Sequence, residues 1–176
     1  MRIITIVGPS GAGKDTVATM LSSILNYEVI CSYTTRPMRE GEVEGREHHF
    51  VKHCPYLPED KEVLAYTRYG DYEYWTEVKQ VWGTVIYVID EKGLMNLMEK
   101  FPKAEIIAIY VSAKPETIRK RGIADERTDR DQYRIKFDIN SYDYFIPNNR
   151  SMFHLWDWVS FVAKKIRERE LGIPCK

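Results

Sequence analysis

The sequence predicts an α/β fold in which a parallel sheet is flanked by helices. Three apolar runs, at 3–7, 84–90 and 106–111, are rich in β-branched residues and have the length of buried parallel strands. The first two runs are followed by apolar residues at helical spacing, and a last amphipathic helix is expected over 152–166, packed on the sheet. We expect its Trp156 and Trp158 in the core or at its boundary. Strands and helices that alternate in this way form a parallel sheet with helical layers.

A glycine-rich loop connects the first strand to the first helix. Strand, loop and helix in this order are the context that a phosphate-binding P-loop requires, so the sequence predicts a P-loop NTPase fold. The glycines let successive backbone N–H groups point into one concavity, the helix N-terminus adds partial positive charge, and Lys14 reaches the β- and γ-phosphates. The predicted donor-phosphate site consists of Gly8, Ser10, Gly11, Ala12, Gly13 and Lys14.

The position after the lysine departs from the usual P-loop pattern. Asp15 stands where a serine or threonine hydroxyl normally ligates Mg²⁺, and Thr16 follows it. Because a carboxylate oxygen also suits Mg²⁺, we expect Asp15 to serve the metal site, directly or through water. Thr16 would donate to a phosphate oxygen.

Composition excludes several classes of protein. The chain has 176 residues, which suits one domain, and no apolar run approaches the length of a membrane span. Because 26 basic residues balance 26 acidic ones, a nucleic-acid partner is not expected. No charged and apolar leader precedes the first strand, and three cysteines are scattered without metal-type spacing. These features favour reduced thiols and a cytoplasmic location.

A polar segment follows a second predicted strand, Tyr27 to Tyr33. Arg36 and Arg39 lie three residues apart just beyond the end of this strand. Guanidinium groups there can bind a phosphate bidentately, which a lysine does not match. The alternative is a solvated loop with two surface arginines.

Two sequence blocks together resemble the guanylate kinase family. GPSGAGK is followed about twenty residues later by S-x-T-T-R-x-x-R-x-G-E-x-x-G-x-x-x-x-F-V, and looser similarity extends to about residue 150. The resemblance implies ATP- and Mg²⁺-dependent phosphorylation of a nucleoside monophosphate, GMP or dGMP first. Arg36 and Arg39 would hold the acceptor phosphate, and Ser32 would contact the base. His48 stands where the family usually has a tyrosine on that phosphate; its imidazole can donate a hydrogen bond and become cationic there.

An aromatic hairpin is predicted next, with Leu64 to Tyr69 and Tyr72 to Thr76 as strands around Gly70-Asp71. In the family this region folds over the acceptor, and a tyrosine touches its phosphate. Tyr72 and Tyr74 are both candidates, and the alternative is that the aromatic residues only form a small core. The family's base-reading glutamate falls near Leu64 or Ala65, which are apolar, and Glu62 is the nearby substitute.

Asp90 ends the strand 84–90 and begins D-x-x-G with Gly93. The resemblance implies that it lies beside the reacting phosphates or the acceptor base, as ligand sites at the carboxyl ends of parallel strands do. A helix N-cap for Glu91 to Phe101 is a compatible second role.

The C-terminal third contains a candidate lid and a candidate adenine contact. A basic helix is expected over 114–122, and the arginine-rich segment 121–134 resembles the lid of nucleoside monophosphate kinases. Arg127 and Arg134 would stabilise the transferring phosphoryl group, unless they form surface ion pairs. Asn148, in D-Y-x-[IV]-x-N, would lie near the donor adenine, and Asn149 is the competing candidate as a simple helix N-cap.

The predicted organisation is a single guanylate-kinase-like domain, 1–176, acting as a monomer or homodimer on small-molecule nucleotides. Its core would comprise 1–31, 83–120 and 135–176, with an acceptor-binding subdomain at 32–82 and the lid at 121–134. Two alternatives remain. One is a related P-loop kinase with another acceptor, either a different nucleotide or ribose 1,5-bisphosphate, which Asp15 and the missing glutamate favour. The other is a non-catalytic binding module of the same fold.

Overall fold

The computed structural model describes residues 1–122 and 141–173. The helices are α1 (Lys14–Leu25), α2 (Glu91–Lys100), α3 (Pro115–Lys120) and α4 (Met152–Glu170). The strands are β1 (Arg2–Val7), β2 (Glu28–Val29), β3 (Tyr33–Thr34), β4 (His49–Phe50), β5 (Val63–Tyr69), β6 (Tyr72–Glu77), β7 (Thr84–Val88), β8 (Glu105–Ser112) and β9 (Tyr144–Pro147).

Five strands form the core sheet, in the order β2-β7-β1-β8-β9, and every pair in it is parallel. The predicted α/β architecture with a parallel sheet is therefore confirmed. The edge strand β9 was not anticipated, because it is only four residues long and ends in a proline, which suits an edge position.

The sheet buries a different cluster of side chains on each face. Along β1, Ile4 and Ile6 face α1 and α4, whereas Ile3 and Val7 face α2, as the two-residue period of a strand requires. The buried stripe of α4 consists of Leu155, Val159, Val162, Ala163 and Ile166. Trp156 and Trp158 are each 44% exposed, so they lie at the boundary and not in the core.

The second sheet has the order β4-β3-β6-β5. The predicted hairpin is confirmed: β5 and β6 are antiparallel, Tyr69 pairs with Tyr72, and Gly70-Asp71 is the connecting loop. Gly70 has a φ of 57°, a conformation that glycine adopts without strain. All four strands fall within 33–77, so this sheet occupies the segment predicted as the acceptor-binding subdomain.

The single strand predicted from Tyr27 to Tyr33 is wrong, because the chain passes from one sheet to the other within it. β2 pairs with β7 in the core sheet, and the Ile30 N–H still donates to the Ile86 carbonyl at 2.8 Å. Only three residues further on, β3 pairs with β4 and β6 of the second sheet. The apolar run has the composition of one strand but supplies two.

Strand β5 also fastens the second sheet to the core. Leu64 and Ala65 are buried in the same cluster as Leu94 and Leu97 of α2. At the end of α2, the Lys100 ammonium donates to the carbonyls of Asp60 at 2.6 Å and Val63 at 2.7 Å. The hairpin is therefore packed against α2. Among the described residues, no helix is both long and apolar enough to cross a membrane.

Candidate functional site

The glycine loop lies between β1 and α1, where two other segments approach it too closely for side chains. A Cβ on Gly8 would lie 2.1 Å from the Val111 carbonyl oxygen, and one on Gly13 would lie 2.4 Å from Nδ2 of Asn148. Gly13 is also the N-cap of α1, with a φ of 95°. Glycine at these two positions therefore allows the β8 backbone and the Asn148 side chain to pack directly against the loop.

The Lys14 ammonium lies over its own loop. It donates to the carbonyls of Gly8 at 2.8 Å and Pro9 at 3.0 Å. A positive charge and the N-terminus of α1 thus lie at the same place, which is the arrangement that binds phosphate groups. Ser10 and Lys14 both line the cleft described below.

Asp15 and Thr16 occupy the first turn of α1. The Asp15 side chain is exposed and lines the cleft, and within 1–122 and 141–173 its carboxylate makes no hydrogen bond. Thr16 lines an adjoining groove beside α1 instead. Asp15 therefore offers carboxylate oxygens beside the loop.

The back of the loop is held by residues distant in sequence. Asn148 is 5% exposed, and its side-chain amide donates to the Ala12 carbonyl at 2.7 Å. Arg121 donates to the carbonyls of Gly11 at 2.7 Å and Asn148 at 3.0 Å. Asn148, predicted beside the donor adenine, thus supports the loop that would hold the donor phosphates.

Two further predictions concern the helix N-cap assigned to Asn149 and the arginines of the lid. Asn149 does not cap α4, whose N-cap is Ser151; its side-chain oxygen accepts from the Lys114 N–H at 2.6 Å, at the start of α3. The predicted N-cap is therefore wrong. Arg127 and Arg134 lie outside the described residues, as does most of the predicted lid.

A cleft extends from the loop towards the second sheet. It comprises a cavity of about 480 Å³ on the side of Arg36 and Arg39 and one of about 210 Å³ on the side of Asp90. The two cavities adjoin each other and share the lining residues Ser10, Lys14, Ser32, His48, Tyr69, Tyr74 and Val88. The structure therefore brings the glycine loop and most of the predicted acceptor residues to one cleft.

Arg36 is 5% exposed and paired with a residue that the sequence did not single out. Its two Nη atoms donate to the Glu42 carboxylate at 2.8 and 2.9 Å, and the Arg39 N–H donates to the same carboxylate at 2.8 Å. Burial alone would raise the pKa of Glu42, but these hydrogen bonds outweigh it and lower the pKa to about 2. Glu42 therefore stays ionised and fixes the orientation of Arg36.

His48 and Ser32 are hydrogen bonded across the cleft wall, with Ser32 Oγ 2.7 Å from His48 Nδ1. Burial, and after it the charge of Arg36, lowers the pKa of His48 below its usual value of 6.5. The neutral imidazole is thus favoured at pH 7 without a bound phosphate, and a cationic His48 beside a phosphate stays a prediction. The neutral His48 ring can still form a hydrogen bond to a ligand.

The structure separates the two candidate tyrosines. Tyr74 lines both cavities, and its ring lies 5.6 Å from that of His48. Tyr72 is 42% exposed and lines neither cavity. Tyr69, which sequence reasoning missed, lines both cavities and donates from its hydroxyl to Asp90 Oδ2 at 2.7 Å.

Asp90 lies where β7 meets α2 and lines the smaller cavity. It is the N-cap of α2, as predicted, since its Oδ1 accepts from the Gly93 N–H at 2.7 Å.

The positions expected for a base-reading glutamate do not supply a carboxylate to the cleft. Leu64 and Ala65 are buried in the core, and Glu62 is exposed and lines neither cavity. Among the residues that the structure describes, Asp90 is the only carboxylate lining the smaller cavity.

The fold and the glycine loop define a P-loop nucleotide-binding protein. The family model described as guanylate kinase matches residues 1–151. The chain therefore belongs to the guanylate kinase family.

Individual relatives have the same description. A guanylate kinase of Latilactobacillus sakei is 30% identical over 189 aligned positions, which cover 98% of this chain and 91% of the relative. A guanylate kinase of Caldanaerobacter subterraneus is 28% identical, and the alignment covers 99% of this chain and 88% of the relative. Among solved structures, the crystal structure of a guanylate kinase from Anaplasma phagocytophilum matches with a TM-score of 0.63 at 22% identity, covering 95% of this chain and 85% of that one. That structural similarity supports the fold.

Proposed function

We propose that this protein transfers the γ-phosphoryl group of ATP to a nucleoside monophosphate, with GMP or dGMP as the first acceptors. The observation that carries the proposal is the continuous cleft, in which Lys14 on the P-loop and Arg36 on the opposite wall line one cavity of about 480 Å³. A donor phosphate at the loop and an acceptor phosphate at the arginines would be neighbours there. The relatives described as guanylate kinases support the choice of GMP.

The donor would be held chiefly by the backbone of the loop. The backbone N–H groups of Gly11, Gly13 and Lys14 and the N-terminus of α1 favour an anion, and the Lys14 ammonium adds a full charge at the β- and γ-phosphates. Asn148 and Arg121 would act indirectly, because their hydrogen bonds hold the Ala12 and Gly11 carbonyls. Such preorganisation reduces the reorganisation needed during the reaction.

The acceptor would lie against the opposite wall of the cleft. Arg36, oriented by Glu42, and Arg39 would bind its phosphate, with His48 and Tyr74 as further hydrogen-bonding groups at the same cavity. Ser32 and Asp90 would face the base. An acceptor phosphate oxygen is already anionic, so transfer depends on positioning and charge neutralisation and not on a strong general base. Arg127 and Arg134 remain predicted transition-state arginines.

The residues at the loop fit a magnesium ion. Asp15 offers an exposed carboxylate without a hydrogen bond among the described residues, and Mg²⁺ in phosphoryl-transfer sites typically takes one or two carboxylates together with phosphate oxygens. Asp15 is therefore the residue that would hold it. When bound, Mg²⁺ would neutralise charge on the donor phosphates.

A second acceptor class is supported by the apolar residues at the positions of the family's base-reading glutamate. A guanine-reading site needs a carboxylate to accept from N1–H and the N2 amino group, yet Leu64 and Ala65 are buried in the core and Asp90 is the remaining candidate. Another nucleotide, or ribose 1,5-bisphosphate, is therefore the alternative acceptor. A cytoplasmic location is part of the proposal and is supported by Cys31 and Cys54, which are free thiols.

The proposal is tested by coupled measurement of ADP release with ATP, Mg²⁺ and each of GMP, dGMP, AMP, CMP, UMP, dTMP and ribose 1,5-bisphosphate. Turnover that is fastest with GMP or dGMP supports the proposal. A different best acceptor would keep the phosphotransferase and replace the acceptor. If the folded protein turned over none of them, the non-catalytic binding module would become the better account. Lys14→Met is the matched inactive control.

A further inference from the structure

We propose that Tyr69 is a positioning residue of the acceptor site, whose hydroxyl fixes the Asp90 carboxylate towards the bound acceptor. This inference rests on the proposed function and adds a residue to it. Tyr69 is at the end of β5 in the second sheet, whereas Asp90 lies at the junction of β7 and α2 in the core. Their hydrogen bond of 2.7 Å therefore joins the second sheet to the core beside the smaller cavity.

The Asp90 carboxylate is held at both oxygens. Oδ1 accepts from the Gly93 N–H at 2.7 Å, and Oδ2 accepts from Tyr69 at 2.7 Å. With one oxygen fixed by the helix cap alone, the carboxylate could still rotate about its bond to Cβ. The second bond removes that rotation, while each oxygen keeps a further lone pair that can accept from a ligand. Because Asp90 lines the smaller cavity, its carboxylate is the candidate acceptor for a ligand bound there.

Tyr69 is itself held in place by its neighbours. Its ring packs edge-on against Tyr74 with centroids 5.7 Å apart, and Tyr74 packs in the same manner against His48 at 5.6 Å. His48 is in turn hydrogen bonded to Ser32. These contacts form a continuous wall from Ser32 to Asp90, and all its members line the smaller cavity. A rigid wall of this kind is what a positioning residue requires.

The test compares two tyrosines that make the same kind of bond. Tyr69→Phe removes the hydroxyl and keeps the ring against Tyr74. Tyr56→Phe is the matched control: Tyr56 donates to the Glu77 carboxylate at 2.9 Å in the same part of the chain and lines neither cavity. Asp90→Asn completes a double-mutant cycle, since asparagine caps a helix as well as aspartate does.

Steady-state kinetics are measured with the acceptor that the wild-type protein uses best. We expect Tyr69→Phe to raise the acceptor KM about 10-fold, the size expected for a lost hydrogen bond to a charged group, with the KM for ATP unchanged. Tyr56→Phe should leave both constants unchanged. In the Asp90→Asn background, Tyr69→Phe should have no further effect, because the carboxylate that it orients is gone.

Three kinetic results would overturn the inference. They are wild-type kinetics in Tyr69→Phe, equal losses in acceptor and ATP affinity, and full additivity with Asp90→Asn. A Tyr69→Phe protein that failed to fold, while Tyr56→Phe folded, would assign the hydroxyl to the fold and overturn it too. If the wild-type protein phosphorylated no acceptor, the proposed function itself would fail, and the positioning role would fall with it.

Discussion

The buried pair formed by Arg36 and Glu42 should make stability depend on pH in a defined way. Arg36 is 5% exposed, and its guanidinium makes two bonds to Glu42, whose side chain is 14% exposed. In Glu42→Gln the charge and one acceptor are lost, but one carbonyl oxygen remains. The guanidinium is then left buried without its counter-charge, which is a strongly destabilising change.

The expected loss follows from the pKa of Glu42. A carboxyl with a pKa of about 2 in the folded protein and 4.5 in the unfolded chain stabilises the fold by about 3 kcal/mol at pH 7. Breaking a buried ion pair costs about 3–5 kcal/mol, which is the same range. Since glutamine keeps one acceptor, we expect Glu42→Gln to lose about 2–3 kcal/mol.

The sign of the pH dependence is fixed by the lowered pKa. The contribution of Glu42 is fully present above pH 4.5 and is lost as the pH falls towards about 2. Urea unfolding at pH 7, 5, 4 and 3, followed by tryptophan fluorescence, measures it. The difference between wild type and Glu42→Gln should shrink from pH 5 downwards and fall to less than half by about pH 3. The exposed Glu40, changed to Gln, is the control and should alter stability by less than about 0.5 kcal/mol. A Glu42→Gln penalty that is the same at pH 7 and pH 3 would refute the reasoning.

Three other predictions follow from single contacts. Lys100→Met should lower the free energy of unfolding by about 2 kcal/mol, because the Asp60 and Val63 carbonyls lose their charged donor. The control Lys103→Met, at an exposed position, should leave the free energy of unfolding unchanged. Equal losses in the two variants would contradict this explanation. Asn148→Ala should raise the KM for ATP about 10-fold, with the acceptor KM unchanged, because the glycine loop loses its bond at Ala12; an effect on the acceptor alone would exclude that explanation. Because the pKa of folded His48 is lowered, its contribution to stability is present above about pH 6.5 and declines as the pH falls through the folded pKa. His48→Gln should therefore flatten the stability profile between pH 7.5 and 5, and an unchanged profile would count against a buried neutral ring.

Local patterns were enough to predict the glycine loop and the hairpin. The strand before Gly8, the apolar spacing after Lys14 and the two-residue loop at Gly70 each depend on neighbours in sequence, and the structure has all three. The break between β2 and β3 could not be predicted in the same way. It depends on which sheet each part of the run 27–33 pairs with, and these partners lie far along the chain.

Most of the site contacts that sequence reasoning missed join segments that are distant in sequence. Asn148 reaches the loop across 136 positions, and Tyr69 reaches Asp90 across 21. Glu42 is close to Arg36 in sequence, but its role depends on the fold of the loop between them, which has no regular period. Among several tyrosines in one hairpin, only the direction of each side chain distinguishes Tyr69 and Tyr74 from Tyr72.

Product analysis with GMP and ATP tests the central claim most directly. Chromatographic measurement of both nucleotide products should give GDP and ADP in equal amounts for the wild-type protein, and neither above background for Lys14→Met. ADP formed without GDP would show hydrolysis in place of transfer, and the absence of both would contradict a phosphotransferase that acts on GMP.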